Sequence, residues 1–122
     1  MPLAKNIMAG GFSAGQARAI GGTAFNLTIT AAGTTQGTAT ALTADYNVVT
    51  TATSLQGVLL YNGQIGDQQI IFNGSTSPIY VYPPTSESVN QLATNAGFVL
   101  SPYTLVEVTK VSTTLWLANL SA

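Results

Sequence analysis

The 122-residue chain contains no cysteine and no histidine, and each absence removes a class of chemistry. Without cysteine there is no disulfide, no thiolate nucleophile and no cysteine-ligated metal site. Without histidine the commonest general base and the commonest metal ligand are missing, which excludes Ser-His-Asp and Cys-His catalytic arrangements. The sequence therefore predicts a protein that is not an enzyme and that needs no cofactor.

Charged residues are almost as scarce. Lys5, Arg18 and Lys110 are the only cations, and all charged residues together make up 6% of the chain, against about 25% in an ordinary soluble domain. Three cations are too few to neutralise the phosphates of a nucleic acid, and no apolar run approaches the roughly 20 residues of a membrane span. Neither nucleic acid nor membrane is expected as a partner. A net charge of -1 gives little repulsion between copies, which favours an assembly that buries much of the surface.

The few acidic residues do not form a recognisable site. They are isolated from one another in the sequence: Asp45, Asp67, Glu87 and Glu107. A glycosidase needs two carboxylates about 5–10 Å apart, and the first three of these residues fall in predicted turns or corners. Asp45 with Asn47, or Asp67 with Asn73, could contribute to a Ca²⁺ site, but no dense loop of oxygen ligands accompanies them. No metal site is predicted.

From Thr23 onward the apolar residues recur with the period of two that is typical of strands. In "AFNLTIT", for example, Phe25, Leu27 and Ile29 fall on one face. Similar short segments follow, and "DQQIIFNGSTSPIYVY" predicts a hairpin that turns at Asn73-Gly74. About eight or nine short strands and no long helix predict an all-β fold, a jelly-roll-like sandwich over residues 23–122.

The strand "IYVY" is followed directly by Pro83-Pro84, which cannot donate ladder hydrogen bonds and should end it. The polar residues 86–90 should then turn a rigid corner, with Val89 and Leu92 packing back over the open end of the sandwich. Near the C-terminus, Trp116 is expected to be a large core anchor.

The last predicted strand, "TTLWLANL", is apolar on both faces, since Leu115 and Leu117 lie opposite Trp116. This pattern predicts a strand placed between the core and a subunit interface.

Residues 1–22 lack the strand period and are interpreted as an N-terminal attachment arm. Ser13 can cap a short helix over residues 14–20, with Gly21-Gly22 as its stop. Four apolar side chains of this segment have no place in so short a helix, and one cation can make a polar contact. These five are the candidate partner-binding residues: Leu3, Ile7, Met8, Phe12 and Arg18.

The C-terminal half carries a resemblance to a known group of proteins. The segments "GDQQIIFN", "PIYVYPP", "VNQL" and "VEVTKVSTTLW" span the chain from Gly66 to Trp116 and are similar to small β domains of tailed-bacteriophage virion proteins. The corner "TSES" departs from the family pattern, which tends to be rich in glycine there, so its turn conformation is not carried over. Such domains occur in capsid cement or decoration proteins and in head or tail fibres, usually as trimers.

The resemblance implies a structural virion protein. Because the arm leads directly into one domain with no shaft between them, we expect a homotrimeric cement protein on the outer surface of the capsid, bound to the major capsid protein through the arm. The alternative is a head- or tail-fibre module that binds host-surface glycan, for which Tyr61-Asn62 or Tyr80 and Tyr82 could stack a sugar ring. An enzyme is the third and least favoured class.

Overall fold

The computed structural model describes residues 24–120, in which ten short strands and one 3₁₀ turn occur. In chain order they are β1 (Phe25–Thr30), the 3₁₀ turn (Gln36–Thr38), β2 (Thr40–Ala41), β3 (Tyr46–Thr51), β4 (Gly57–Leu59), β5 (Gln68–Asn73), β6 (Ile79–Tyr82), β7 (Ser88–Val89), β8 (Phe98–Leu100), β9 (Leu105–Lys110) and β10 (Leu115–Leu120).

The first six strands form three successive coils, each with one strand in either of two sheets. β1, β3 and β5 lie side by side and parallel in the larger sheet, while β2, β4 and β6 do the same in the smaller one. Phe25 pairs with Tyr46 on the next coil, and Tyr46 pairs in turn with Ile70 on the coil after that. A chain that returns to the same sheet at similar intervals and stacks in parallel is a short solenoid.

The last four strands close this stack on one side. β9 pairs antiparallel with β5, β10 antiparallel with β9, and the short β7 runs parallel to β10 at the edge, giving the order β1-β3-β5-β9-β10-β7. β8 pairs antiparallel with β6 and completes the smaller sheet.

The inner faces of the two sheets share one apolar core. The alternation of residues along β9 shows how the sequence produces this core. Val106 and Val108 are buried, while Glu107 and Thr109, which alternate with them, face outward. The buried core residues come from both sheets: Ile29, Ala31, Leu42, Val49, Val58, Leu60, Ile71, Ile79, Val81, Val89, Leu100, Val106, Val108 and Trp116.

Buried amide side chains hold the corners where the chain passes between the sheets. Asn73, at the end of β5, donates to the carbonyls of Ser77 (2.8 Å) and Leu100 (3.0 Å) and accepts hydrogen bonds from the backbone N–H and hydroxyl of Ser75. Gln69 donates to the carbonyl of Tyr61 and accepts from its N–H. Corner backbone lacks a ladder partner, so these amides supply the hydrogen bonds that burial requires.

The prediction of an all-β fold of short strands is confirmed, but two finer predictions are not. A jelly roll pairs its strands antiparallel, whereas five of the eight strand pairings within residues 24–120 are parallel. The prediction of a hairpin around Asn73-Gly74 was wrong, because β5 and β6 belong to different sheets. The Asn-Gly pair here forms a corner, since the Asn73 side chain bonds forward along the chain.

Predictions for individual residues in the C-terminal part were confirmed in most cases. β6 ends at Tyr82, directly before Pro83-Pro84, and Trp116 is fully buried, both as predicted. Val89 is also buried, but Leu92 is 42% exposed and does not pack back into the core. The predicted arm and its short helix lie outside the described residues.

Candidate interaction surface

The outer face of β10 and the loop beside it form an open apolar groove of about 700 Å³. Trp116 points into the core, so its neighbours Leu115 and Leu117 point outward, and Leu117 is 49% exposed. Two further apolar side chains, Leu92 and Phe98, line the same groove, together with Asn90 and Gln91. Large apolar side chains grouped on a surface are typical of interaction sites.

The groove is bordered by residues 83–97, a segment that contains β7 and is tied to β10 and to the 3₁₀ turn. Asn90 accepts a hydrogen bond from the N–H of Ala118 through its side-chain oxygen at 2.9 Å, so the amide continues the pairing of β10 beyond β7. Asn95 accepts from the N–H of Ser86 at 2.6 Å, and Gln36 donates both to Asn95 and to the carbonyl of Pro83.

Backbone conformation in this loop is restrictive. Ser86, Asn90 and Asn95 have φ values of 69°, 51° and 68°, a region that asparagine tolerates better than most residues. The groove wall is therefore held by the fold and is not a freely variable corner.

On the inner side of β10 lies a buried ion pair that contacts Trp116. Nζ of Lys110 lies 3.0 Å from Oε1 of Glu87, with side-chain exposures of only 7% and 8%, and Nε1 of Trp116 donates to that same oxygen at 2.8 Å. Lys110 also donates to the carbonyl of Gly63 at 2.9 Å and lies 5.7 Å from the centroid of the Trp116 ring. The cluster joins β9, β10 and two loops.

Sequence reasoning missed Glu87 and Lys110 as a pair. The only available signal was positional: Lys110 falls at an inward position in the alternation of β9, after Val106 and Val108. An inward lysine requires a partner, but nothing in the sequence identifies Glu87 as that partner, because the pairing depends on how the loop after Pro84 returns to β10.

A second polar cluster lies at the corner that follows β4. The hydroxyl of Tyr61 donates to Oδ1 of Asp45 at 3.1 Å, and Asp67 accepts from the N–H of Gln64 at 2.7 Å. Burial, followed by the neighbouring carboxylates of Asp45 and Asp67 and the hydrogen bond to Asp45, raises the pKa of Tyr61 above its ordinary value of 10.0. Next to this cluster is an open cavity of about 350 Å³ whose lining includes Tyr61 and Asn62.

The other proposed sugar-stacking pair is occupied within the fold. The rings of Tyr80 and Tyr82 stack on each other at 5.6 Å, and the Tyr82 hydroxyl donates to the carbonyl of Thr34. Tyr82 is only 8% exposed, because Gly57 and Gly97 on either side let the backbone approach its ring. Tyr82 is therefore a packing residue.

The Ca²⁺ pairs considered in the sequence do not form an oxygen-rich site. Within residues 24–120, no group of three or more His, Cys, Asp or Glu side chains could hold a metal ion. The side chain of Asn73 is hydrogen-bonded to Ser75, Ser77 and Leu100, and that of Asn47 donates to the carbonyls of Ala44 and Ile70.

Within residues 24–120, no helix is long and apolar enough to cross a membrane.

The predicted partner-binding residues all precede residue 24 and so lie outside the described residues: Leu3, Ile7, Met8, Phe12 and Arg18. Sequence reasoning did single out β10 as a strand with two apolar faces. The structure places Trp116 in the core, as predicted, and the opposite face at the groove, while the subunit interface stays a prediction.

Comparison with protein-family models gave no match, and neither did comparison with curated proteins.

Proposed function

We propose that this protein is a structural component of a tailed-phage virion, a capsid decoration protein that assembles through the outer face of β10 and attaches to the shell through residues 1–22. The observation that carries the proposal is the combination of an almost uncharged chain with an open groove lined by Leu92, Phe98, Leu115 and Leu117. Such a surface is unfavourable in water and favourable in an assembly.

The rigidity of this surface supports a structural role. Trp116 is clamped behind it by Glu87 and Lys110, so the outward leucines on either side stand on a fixed strand. A preformed apolar face loses little conformational freedom on association, which favours stable contacts between copies. A second copy is the occupant that we propose for the groove, and the homotrimer follows from the resemblance to virion domains.

The attachment role of the arm rests on its composition. Leu3, Ile7, Met8 and Phe12 are apolar residues in a segment without the strand period, and Arg18 is one of three cations in the chain. Three arms per trimer would bind the major capsid protein with a high effective concentration, even if each arm alone bound weakly. Decoration of the outer surface in this way stabilises the shell without catalysis.

Capsid binding tests the attachment role directly. Wild-type protein should co-sediment with capsids that lack decoration, whereas the deletion of residues 1–22 and the double substitution Phe12→Ser with Arg18→Ser should not. Circular dichroism should show that both variants keep their β structure. The control is Ser54→Ala, a substitution in an exposed turn outside the groove, which should bind normally. Full binding by both arm variants would refute the decoration proposal.

Light scattering tests the assembly surface. Leu117→Asp should convert the trimer to a folded monomer, because it places a charge in a buried apolar contact. Ile65→Asp makes the same change at a side chain that is 59% exposed and remote in sequence from the groove, and it should leave the trimer intact. A wild-type monomer at micromolar concentration would contradict the assembly.

A fibre module that binds glycan is the second candidate, and the cavity beside Tyr61 and Asn62 is the observation that favours it. Imaging of virions separates the two, because a fibre module would be found at a fibre tip and a decoration protein across the head.

A further inference from the structure

Two Asn-Gly pairs occur in the sequence, Asn62-Gly63 and Asn73-Gly74, and their environments in the fold differ. An asparagine followed by glycine is chemically reactive, because glycine has no side chain to shield its main-chain nitrogen and gives the backbone more conformations in which that nitrogen meets the asparagine amide. The reaction needs no enzyme. Its rate at each pair therefore depends on exposure, on hydrogen bonds and on local freedom.

The Asn73-Gly74 pair is protected by the fold. Asn73 is 0% exposed, and its Nδ2 donates to the carbonyls of Ser77 at 2.8 Å and Leu100 at 3.0 Å. The N–H of Gly74 donates to the carbonyl of Val49 at 2.8 Å. A reaction at this pair must break these bonds, so it requires local opening of the fold.

The Asn62-Gly63 pair lacks this protection. Asn62 is exposed and lies outside the strands, in the corner between β4 and β5. Among the residues that the structure describes, none forms a hydrogen bond with the Asn62 side chain or with the N–H of Gly63. The amide group and the nitrogen that attacks it are therefore free of competing contacts with that part of the chain.

The packing of the corner explains why glycine occupies position 63. A Cβ at Gly63 would lie 2.6 Å from Oδ2 of Asp67, too close for a normal contact, so another residue would displace this carboxylate. The same oxygen accepts a hydrogen bond from the N–H of Gln64 at 2.7 Å, which closes the corner. The reactive pair is thus a consequence of how closely the corner is packed.

The corner is anchored on both sides of Asn62. On one side, the N–H and the carbonyl of Tyr61 are hydrogen-bonded to the side chain of Gln69. On the other side, the carbonyl of Gly63 accepts a hydrogen bond from Nζ of Lys110 at 2.9 Å. Because Lys110 is the cation of the buried ion pair, a change in the main chain at Asn62 can reach that pair.

We propose that Asn62-Gly63 is a site of spontaneous modification, at which Asn62 becomes isoaspartate and the buried ion pair is weakened. The main-chain nitrogen of Gly63 attacks Cγ of Asn62, its proton passes to the departing amide group, and ammonia leaves a succinimide ring behind. Water then opens this ring at either carbonyl. Opening at Cγ gives aspartate, whereas opening at the main-chain carbonyl gives isoaspartate, whose main chain runs through Cβ and Cγ and is one carbon longer.

The additional carbon lies between two fixed points, the Gln69 side chain that holds Tyr61 and the Lys110 ammonium that holds Gly63. Because both contacts fit the shorter chain, isoaspartate should displace the carbonyl of Gly63 from Nζ of Lys110. The Lys110 side chain is only 7% exposed, so water does not readily replace the lost acceptor.

Peptide mapping tests the modification. Chymotrypsin cleaves after tyrosine and phenylalanine, so cleavage at Tyr61, Phe72 and Tyr80 releases peptides 62–72 and 73–80, each of which begins with Asn-Gly. After incubation of the folded full chain in mildly alkaline buffer, replacement of NH₂ by OH should be at least about tenfold more advanced in the first peptide, because the second pair reacts only on local opening. In urea-unfolded protein the two pairs should react at similar rates. Similar rates in the folded protein, or a slower reaction in the first peptide, would overturn the proposal.

Unfolding of the modified protein tests the effect on the ion pair. Anion exchange separates the modified chains, because each carries one more negative charge, and a synthetic isoaspartate form of peptide 62–72 identifies the relevant fraction. This fraction should unfold at a lower urea concentration than the unmodified protein. It should also show altered fluorescence of Trp116, the only tryptophan, whose Nε1 is bonded to Glu87.

Two full-length variants serve as controls, and neither requires capsids, so the result is independent of the proposed function. Asn62→Asp carries the same added charge on an unaltered main chain and should match the unmodified protein in both measurements. Asn62→Gln, incubated in the same way, should stay unmodified at this position and keep its stability. If the isoaspartate fraction and Asn62→Asp unfolded at the same urea concentration, the proposed link between the longer main chain and the ion pair would be wrong.

Discussion

The two halves of the described chain satisfy their buried polar groups in different ways. In the coils formed by β1 to β6, the corners are held by neutral amides, such as Asn73 and Gln69, which bond to nearby backbone. In the part from β7 to β10, the loops are held by a buried ion pair, Glu87 with Lys110, that also binds Trp116. The amides replace missing ladder bonds one corner at a time, whereas the ion pair joins several elements at one point.

The difference has an energetic consequence. A buried amide that loses its partner leaves a neutral group unsatisfied, at a cost of about 1–3 kcal/mol. A buried charge that loses its partner costs about 3–5 kcal/mol. We therefore expect the C-terminal half to depend strongly on one contact and the coils to tolerate single losses better.

The largest effect should follow removal of the cation. Lys110→Met leaves the Glu87 carboxylate buried with only the Trp116 N–H as a described side-chain donor, and it should lower the free energy of unfolding by about 3–5 kcal/mol. The double variant Glu87→Gln with Lys110→Met removes both charges and keeps an oxygen for Trp116, so it should recover most of that loss. Urea unfolding of the purified protein measures both.

Glu107→Gln is the matched control for the change at Glu87, since it alters a carboxylate on the outer face of the same strand that carries Lys110. It should change the free energy of unfolding by less than about 1 kcal/mol. If Lys110→Met behaved like this control, the two halves would not differ in the way described.

A smaller effect is expected in the coils. Asn73→Ala removes the bonds to Ser75, Ser77 and Leu100 and should cost about 1–3 kcal/mol, with the β content unchanged. Asn62→Ala, at an exposed position of another corner, should be nearly neutral in the same unfolding experiment. A cost for Asn73→Ala equal to that of Lys110→Met would remove the distinction between amide and charge.

The smallest effect is one of pH. Because the folded state raises the pKa of Tyr61 above its ordinary value of 10.0, the unfolded chain releases this proton first as the pH rises. The stability contributed by the neutral phenol is complete below about pH 10 and is lost above it, toward the folded pKa. Tyr61→Phe should therefore reduce the slope of thermal stability against pH above about pH 10, relative to the wild-type protein. Equal slopes in Tyr61→Phe and the wild type would contradict this assignment.

Predictions based on local pattern were accurate where local chemistry decides the outcome. Alternating apolar residues indicated short strands, Pro83-Pro84 ended β6, and the two-faced pattern around Trp116 placed that ring inside. The hairpin failed because an Asn-Gly pair is compatible with both a two-residue turn and a wider corner. A two-residue turn would require β5 to pair with β6. In the structure β5 pairs with β3 and β9, so the Asn-Gly pair forms a corner.

The sequence by itself determined the all-β class, the strand ends at proline and the exclusion of histidine and cysteine chemistry, because each follows from residue types and their spacing. Only the tertiary structure decided that the strands stack as parallel coils, that Glu87 in a loop meets Lys110 on β9, and that Leu92 joins Leu117 at one groove. Pairing between distant segments depends on how well whole faces pack together, and short apolar segments of similar composition do not specify which face meets which.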